Sequence, residues 1–192
     1  MNRDNDRAPS QHNLDHHAIA KLRGLIRTVP HFPKPGIMFR DITTLILDPW
    51  GLKETMRQLL VIAQEVRPQK IVAIDSRGFL FGSFLAHEMN IGVSLARKKG
   101  KLPGETVQQS YQLEYGTDTL EIHKGAIELG EKCLIVDDLL ATGGTAEAAA
   151  LVVEKMGGRV AGMLFVVNLP ELNGSKKLSV YKPKWLMEFD GH

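Results

Sequence analysis

One cysteine, Cys133, stands in 192 residues, so no internal disulfide can form and a packed core has to hold the chain together. It lies in an apolar run, reads as a small buried side chain, and its isolation fits a reducing compartment. Aromatic residues are scarce at 6%, and no apolar stretch approaches the roughly 20 residues that cross a bilayer. The formal charge is +2 with acidic and basic residues interleaved, so composition gives no argument for nucleic acid or a membrane as partner. Any strongly charged function must be local. Known cofactor fingerprints are missing as well: no G-x-G-x-x-G follows a strand, no P-loop occurs, and neither paired cysteines nor H-E-x-x-H is present. His87-Glu88 lacks a second histidine and reads as a helix surface. The start, MNRDNDRAPSQHN, has neither periodicity nor the apolar segment of a secretory signal, so residues 1–13 are expected as a disordered polar tail on a cytoplasmic protein, without a metal role for His12, His16 or His17.

What is present is enough apolar sequence, 43%, for one well-filled core, and a single domain is expected over residues 14–192. Ala18, Ile19, Leu22, Leu25, Ile26 and Val29 recur at helical spacing, predicting a helix from Asp15 to near Arg27 that Pro30, Pro33 and Pro35 terminate. Asp48-Pro49 is a cap followed by proline at the first helical position, and Leu52, Met56, Leu59, Leu60, Ala63 and Val66 make the stripe of a second helix that closes at Pro68. Strand-loop-helix units follow at Lys70–Asp75 with a helix through Glu88, and at Cys133 with a helix Thr145–Met156 ended by Gly157-Gly158. Ile91–Ala96 and Val160–Val167 read as further strands, and Tyr111–Tyr115 with Leu120–His123 as a hairpin. Alternation of this kind predicts an α/β fold, a mainly parallel central sheet flanked by helices, with its active loops gathered at one edge.

The most informative segment is CLIVDDLLATGGT, Cys133–Thr145. Its apolar run reads as a strand buried on both faces, ending in Asp137 and Asp138 where ligands of parallel sheets sit. Adjacent like charges gain little in a core, so hydroxyls or a cationic centre outside it are their reason. Behind them Ala141, Thr142, Gly143, Gly144 and Thr145 let the main chain approach a ligand and open a helix whose free N–H groups suit a dianionic phosphate. Acceptors for sugar hydroxyls and donors for a phosphate, a few residues apart, fit a ribose 5-phosphate.

Other loops should open on the same edge. Asp75-Ser76-Arg77-Gly78 ends its strand as a small-residue turn with one guanidinium, a structural turn or a site for a diphosphate. Arg97, Lys98, Lys99 and Lys101 form the most basic cluster, either a solvated run or a means of neutralising a diphosphate leaving group. Lys101–Gln109 holds little that fills a core, and a flexible loop over about 99–119 is expected to close over ligand. Glu114 in the hairpin either faces solvent or handles a proton on an incoming base. Pro33–Thr43 is proline-rich and joins two helices without being either, and Phe39 in it either plugs the core or stacks on a base.

Four segments in order, PGIMFRDIT, DSRGFLFG, RKKGKLPGETVQQSYQLEYG and VDDLLATGGT, resemble the type I phosphoribosyltransferases, in the form found in those that act on adenine. The resemblance spans nearly the whole chain after the polar start. It implies transfer of the 5-phosphoribosyl group from 5-phospho-α-D-ribose 1-diphosphate to N9 of adenine, giving AMP and diphosphate in purine salvage. It further implies Asp137 and Asp138 on the ribose, Ala141 through Thr145 on the 5-phosphate, and Ser76, Arg77, Gly78, Arg97, Lys98 and Lys101 on the diphosphate. By the same resemblance about 30–45 form a hood over the base, and Met38, Phe39 and Arg40 fall on the adenine. Glu114 and Arg77 take catalytic roles, Mg²⁺ is held mainly through the substrate, and a homodimer is expected. A 6-oxopurine or pyrimidine enzyme, sharing the sugar site, and a non-catalytic regulator that senses the diphosphate sugar are the competing readings.

Overall fold

The computed structural model describes residues 14–112 and 116–191. Lys70–Ile74 (β3) and Lys132–Leu140 (β7) pair in parallel at the centre, and their apolar residues are buried on both faces. Such strands must be covered on both sides. Ile71, Leu134 and Val136 join one core with α1 (His16–Leu25), α2 (Thr43–Leu47), α3 (Pro49–Val66) and α4 (Gly78–Glu88). Val72, Ile74, Cys133 and Ile135 face the other way, onto α5 (Gly144–Lys155). Residues one apart thus enter different cores, as the two-residue period of a strand requires.

Gly92–Lys98 (β4), Arg159–Asn168 (β8) and Pro183–Glu188 (β9) extend the parallel sheet, while Thr106–Gln112 (β5) and Thr117–His123 (β6) add an antiparallel hairpin at one edge. The order across seven strands is β5-β6-β4-β3-β7-β8-β9. Capping places the helices: the Asp48 carboxylate accepts the Gly51 N–H at 2.7 Å, Pro49 opens α3, and Arg67 ends it in a left-handed conformation. Asp15 accepts from the Ala18 N–H at 3.0 Å to start α1. No helix among the described residues is long and apolar enough to cross a membrane.

Three segments differ from the sequence reading. The first helix stops at Leu25, because Ile26 turns extended and Arg27–Pro30 (β1) pairs antiparallel with Met38–Asp41 (β2). The hood is therefore a small two-stranded sheet followed by α2. Four-residue strands bounded by prolines are too short to show a period. The hairpin is longer than expected, pairing Thr106 with His123 through Gln112 with Thr117, so much of the expected loop 99–119 is strand. One face of it meets solvent, which explains its low apolar content. Finally, β9 closes the far edge, with Pro183 at its first residue, where a missing N–H is tolerated. The tail 1–13 lies outside the described residues.

Asp41 ties the hood down. Its carboxylate accepts the Thr43 hydroxyl at 2.6 Å, the Thr43 N–H at 3.0 Å and Arg27 Nη2 at 2.5 Å. The Thr43 hydroxyl, then the Arg27 guanidinium, bring its pKa down from 3.8 to about 2. A depressed carboxylate contributes stability above the unfolded pKa and loses it as pH falls through the folded one. Asp41→Asn is expected to lower unfolding stability by roughly 2 kcal/mol near neutrality, with the gap narrowing as pH falls from about 4 toward about 2. Denaturant titrations of both proteins across that range check it.

Candidate active site

At the carboxyl ends of β3, β4 and β7 a cavity of about 260 Å³ opens on one edge of the sheet. Ile74, Asp75, Ser76 and Arg77 line it from β3 and the turn after it, Lys98 from β4, Asp137 and Asp138 from β7, Thr145 from the first turn of α5, and Tyr111 and Leu120 from the hairpin. Ser76, Arg77, Lys98, Asp137, Asp138 and Thr145, predicted from separate segments, are thus brought together. A larger groove of about 850 Å³ between α1, α3 and β9 contains none of the predicted site residues.

The two aspartates are differently placed. Asp138 is buried, 4% exposed, and accepts from Arg77 Nε at 2.6 Å. Burial alone would lower the Arg77 pKa, but the charge and hydrogen bond of Asp138, with Asp137 and Asp41 behind, raise it overall. Asp137 is half-buried and accepts the Asp138 N–H at 2.8 Å. Burial first, then the neighbouring Asp138 charge, push its pKa well above the ordinary 3.8. The pair therefore offers one carboxylate held by a guanidinium and a second acid group whose ionisation burial and its neighbour's charge oppose.

Behind the aspartates the chain turns through Ala141–Gly143 into α5. Gly143 takes φ of +79°, a left-handed conformation that glycine adopts without strain, and caps the helix. The first N–H groups of α5 have no intrahelical partner, and a helix start of this kind can accept an anion. This turn is supported from below by a later segment of the chain. Gly174 opens the short helix α6 (Gly174–Lys177), and its N–H donates to the Ala141 carbonyl at 3.1 Å. A Cβ on Gly174 would lie 2.1 Å from that oxygen and 3.0 Å from the Gly143 nitrogen. Leu178, wholly buried, packs under Gly143. From the other side the Gln112 carbonyl approaches to 3.2 Å of where a Gly144 Cβ would stand, so the hairpin lies over the turn.

The diphosphate candidates divide. The Asp75–Ser76 peptide is cis. Gly78 is buried, and a Cβ there would lie 2.7 Å from the Val136 carbonyl, so its small size serves the close packing of α4 on β7. Lys98 pairs with Asp118 at 2.9 Å, a hydrogen bond that raises its pKa, while lining the cavity. Arg97 does not line the cavity; its guanidinium donates to Asp75 at 2.8 Å and to the Lys101 carbonyl at 3.1 Å. Nor does Lys101, whose N–H is held by Glu121.

In the hood, Phe39 meets Phe32 edge to face with centroids 5.1 Å apart. Arg40 directs its side chain away, donating to the Thr28 hydroxyl at 2.6 Å and to the carbonyls of Asp190 and Gly191, with its guanidinium 5.0 Å over the Phe189 ring. Met38, Phe39 and Arg40 lie on β2, whose outer edge pairs with no strand among the described residues. Glu114 lies outside the described residues.

Sequence reasoning missed Tyr111, Gly174 and Leu178 as parts of this region. Asn173-Gly174 has the composition of a turn, and composition does not tell which main chain the turn will support. For Mg²⁺, no group of three His, Cys, Asp or Glu that could hold a metal occurs among the described residues. Of the three cavity carboxylates, Asp138 is paired with Arg77 and Asp75 with Arg97, which leaves Asp137 beside substrate oxygens and suits an ion held by one carboxylate and the substrate. The site fits that mode.

The sequence profile of the phosphoribosyl transferase domain matches residues 55–188. Among curated proteins, the adenine phosphoribosyltransferase of Sphingopyxis alaskensis is 49% identical over 95% of this chain and 97% of its own. That of Chlorobium phaeobacteroides is 52% identical over 88% and 98%. Among solved structures, the adenine phosphoribosyltransferase of Rhodothermus marinus superposes with a TM-score of 0.86 at 46% identity, covering 91% of this chain and all of that one. The Saccharomyces cerevisiae enzyme, complexed with an imino-altritol bisphosphate and adenine, gives 0.82 at 37% identity, covering 88% of this chain and 98% of that one.

Proposed function

Since the chain belongs to the phosphoribosyl transferase family, among its adenine phosphoribosyltransferases, we propose that this cavity joins the N9 nitrogen of adenine to C1 of 5-phospho-α-D-ribose 1-diphosphate. The observation that carries the proposal is the meeting of Asp137, Asp138, Arg77 and the first turn of α5 in one cavity. In the proposed reaction the C1–oxygen bond breaks, the diphosphate leaves with the electron pair, and the nitrogen of adenine attacks C1 as its proton is lost. The products are AMP and diphosphate.

Each group then has a task. The turn Ala141–Thr145 holds the 5-phosphate through main-chain N–H groups, fixing the sugar before reaction. Asp138 and Asp137 take the ribose hydroxyls and lie beside the positive charge that develops on the sugar. Ser76, Arg77 and Lys98 receive the diphosphate. Arg97 and Lys101 act there only from outside the cavity lining, Arg97 by orienting Asp75. Bound Mg²⁺, held by substrate oxygens with Asp137 as the available carboxylate, would supply charge neutralisation on the leaving group. Glu114 is proposed to accept the proton from adenine.

The hood covers the base, Phe39 stacking on it and the free edge of β2 meeting its exocyclic group. Phe39→Ala is expected to raise KM for adenine about tenfold while leaving that for the diphosphate sugar unchanged, stacking on a base being worth roughly 1–3 kcal/mol. Steady-state kinetics with each substrate varied checks it. The reading extends to a cytoplasmic homodimer acting on small molecules; a lone buried thiol fits a reducing compartment and a charge of +2 gives no nucleic-acid face. Its direct test is purified protein with Mg²⁺, the diphosphate sugar and either adenine or hypoxanthine. AMP and no IMP is expected; IMP formed at the greater rate would move the assignment to a 6-oxopurine enzyme.

A further inference from the structure

Glu121 is a carboxylate that the reaction does not use, and it is 2% exposed in β6 between the buried Leu120 and Ile122. No salt bridge reaches it among the described residues. Instead one oxygen accepts the N–H groups of Lys101 and Leu102, each at 3.1 Å, and the other accepts the Thr106 hydroxyl and Gln108 Nε2, each at 3.2 Å. Its in-register neighbours are Arg97 on β4 and Gln108 on β5, and Arg97 is already committed to Asp75 and the Lys101 carbonyl. The turn after β4 therefore wraps round a buried anion, with Gly100 at φ of +80° giving the bend. Burial raises the Glu121 pKa, yet the N–H of Leu102, the Thr106 hydroxyl and the N–H groups of Lys101 and Gly100 outweigh it and lower it overall.

A buried carboxylate is strongly unfavourable unless hydrogen-bonded, so this turn cannot leave without stranding the charge. The same turn carries Lys99 and Lys101, fixes Arg97 through the Lys101 carbonyl and begins the arm that lies over the phosphate cradle. We propose that Glu121 is the positioning residue of the diphosphate end of the site, a fixed pivot that sets the basic turn and the base of the hairpin arm against the cavity. It acts through the main chain of residues 100–102 and does not touch substrate.

The inference rests on the proposed function, and the experiment separates the two. Calorimetry of the full-length parent with the diphosphate sugar and Mg²⁺ tests the function alone; kinetics of Glu121→Ala and Glu121→Gln test the pivot. The alanine variant is expected to raise KM for the diphosphate sugar about 10-fold to 100-fold, the range for hydrogen bonds to a charged group. Glutamine, keeping an acceptor oxygen, should recover part of that loss. KM for adenine and affinity for AMP should stay within about twofold of the parent, which a general loss of fold would not allow. Parent-like KM for the diphosphate sugar in both variants, or equal losses for sugar, adenine and AMP, would overturn the proposal. Should the alanine variant fail to fold, the glutamine variant carries the same comparison.

Discussion

Gly174→Ala is expected to weaken binding of ribose 5-phosphate and AMP, and to lower kcat/KM for the diphosphate sugar, by on the order of 100-fold. The added methyl would stand 2.1 Å from the Ala141 carbonyl oxygen, well inside contact distance, and 3.0 Å from the Gly143 nitrogen. Both atoms belong to the turn proposed to hold the phosphate. Neither is the end of a flexible side chain, so main chain has to move, and displacement of about 1 Å costs roughly that factor when a reacting centre is positioned by it. Leu178→Ala removes packing from beneath the same turn without forcing it aside, and its effect should be smaller. Calorimetric titration with AMP ranks the three proteins; affinity of the Gly174 variant equal to the parent would show that the turn does not hold the phosphate.

Asp138→Ala should reduce kcat/KM by about 10² to 10³, the roughly 2.7–4 kcal/mol lost when one preorganised electrostatic contact to a transition state is removed. Two effects combine in it. The ribose loses a fixed acceptor, and Arg77, now without its 2.6 Å partner, is no longer oriented toward the diphosphate. Because the two side chains act as a unit, the Asp138→Ala, Arg77→Ala double variant should lose much less than the sum of the two single losses. Full turnover by Asp138→Ala would remove that residue from the mechanism.

The parts of the fold visible in the sequence are those whose cause is local. Asp48-Pro49 announces the start of α3 because a cap and a fixed φ act within one turn. The runs 71–74 and 133–136 announce central strands because burial on both faces leaves no polar residue to interrupt them. The aspartates and the small-residue turn were visible for the same reason: backbone geometry and charge sit within nine residues of chain. What stayed hidden depends on contacts between distant segments. The Gly174 support meets Ala141 from 33 residues away, and nothing in Asn173-Gly174 tells which main chain it will touch. The Arg40 guanidinium is held by the carbonyls of Asp190 and Gly191, some 150 positions later, a contact that nothing in the sequence near Arg40 announces. Glu121 reads as an ordinary charged residue in a strand until the turn around it is seen.

The most direct measurement is a crystal structure of the protein grown with ribose 5-phosphate and Mg²⁺. The phosphate should rest on the main-chain N–H groups at Ala141–Thr145, with the ribose hydroxyls on Asp137 and Asp138 and C1 facing the hood. A pentose phosphate bound elsewhere, or oriented with its phosphate toward Arg77 and its hydroxyls away from the aspartates, would contradict the account.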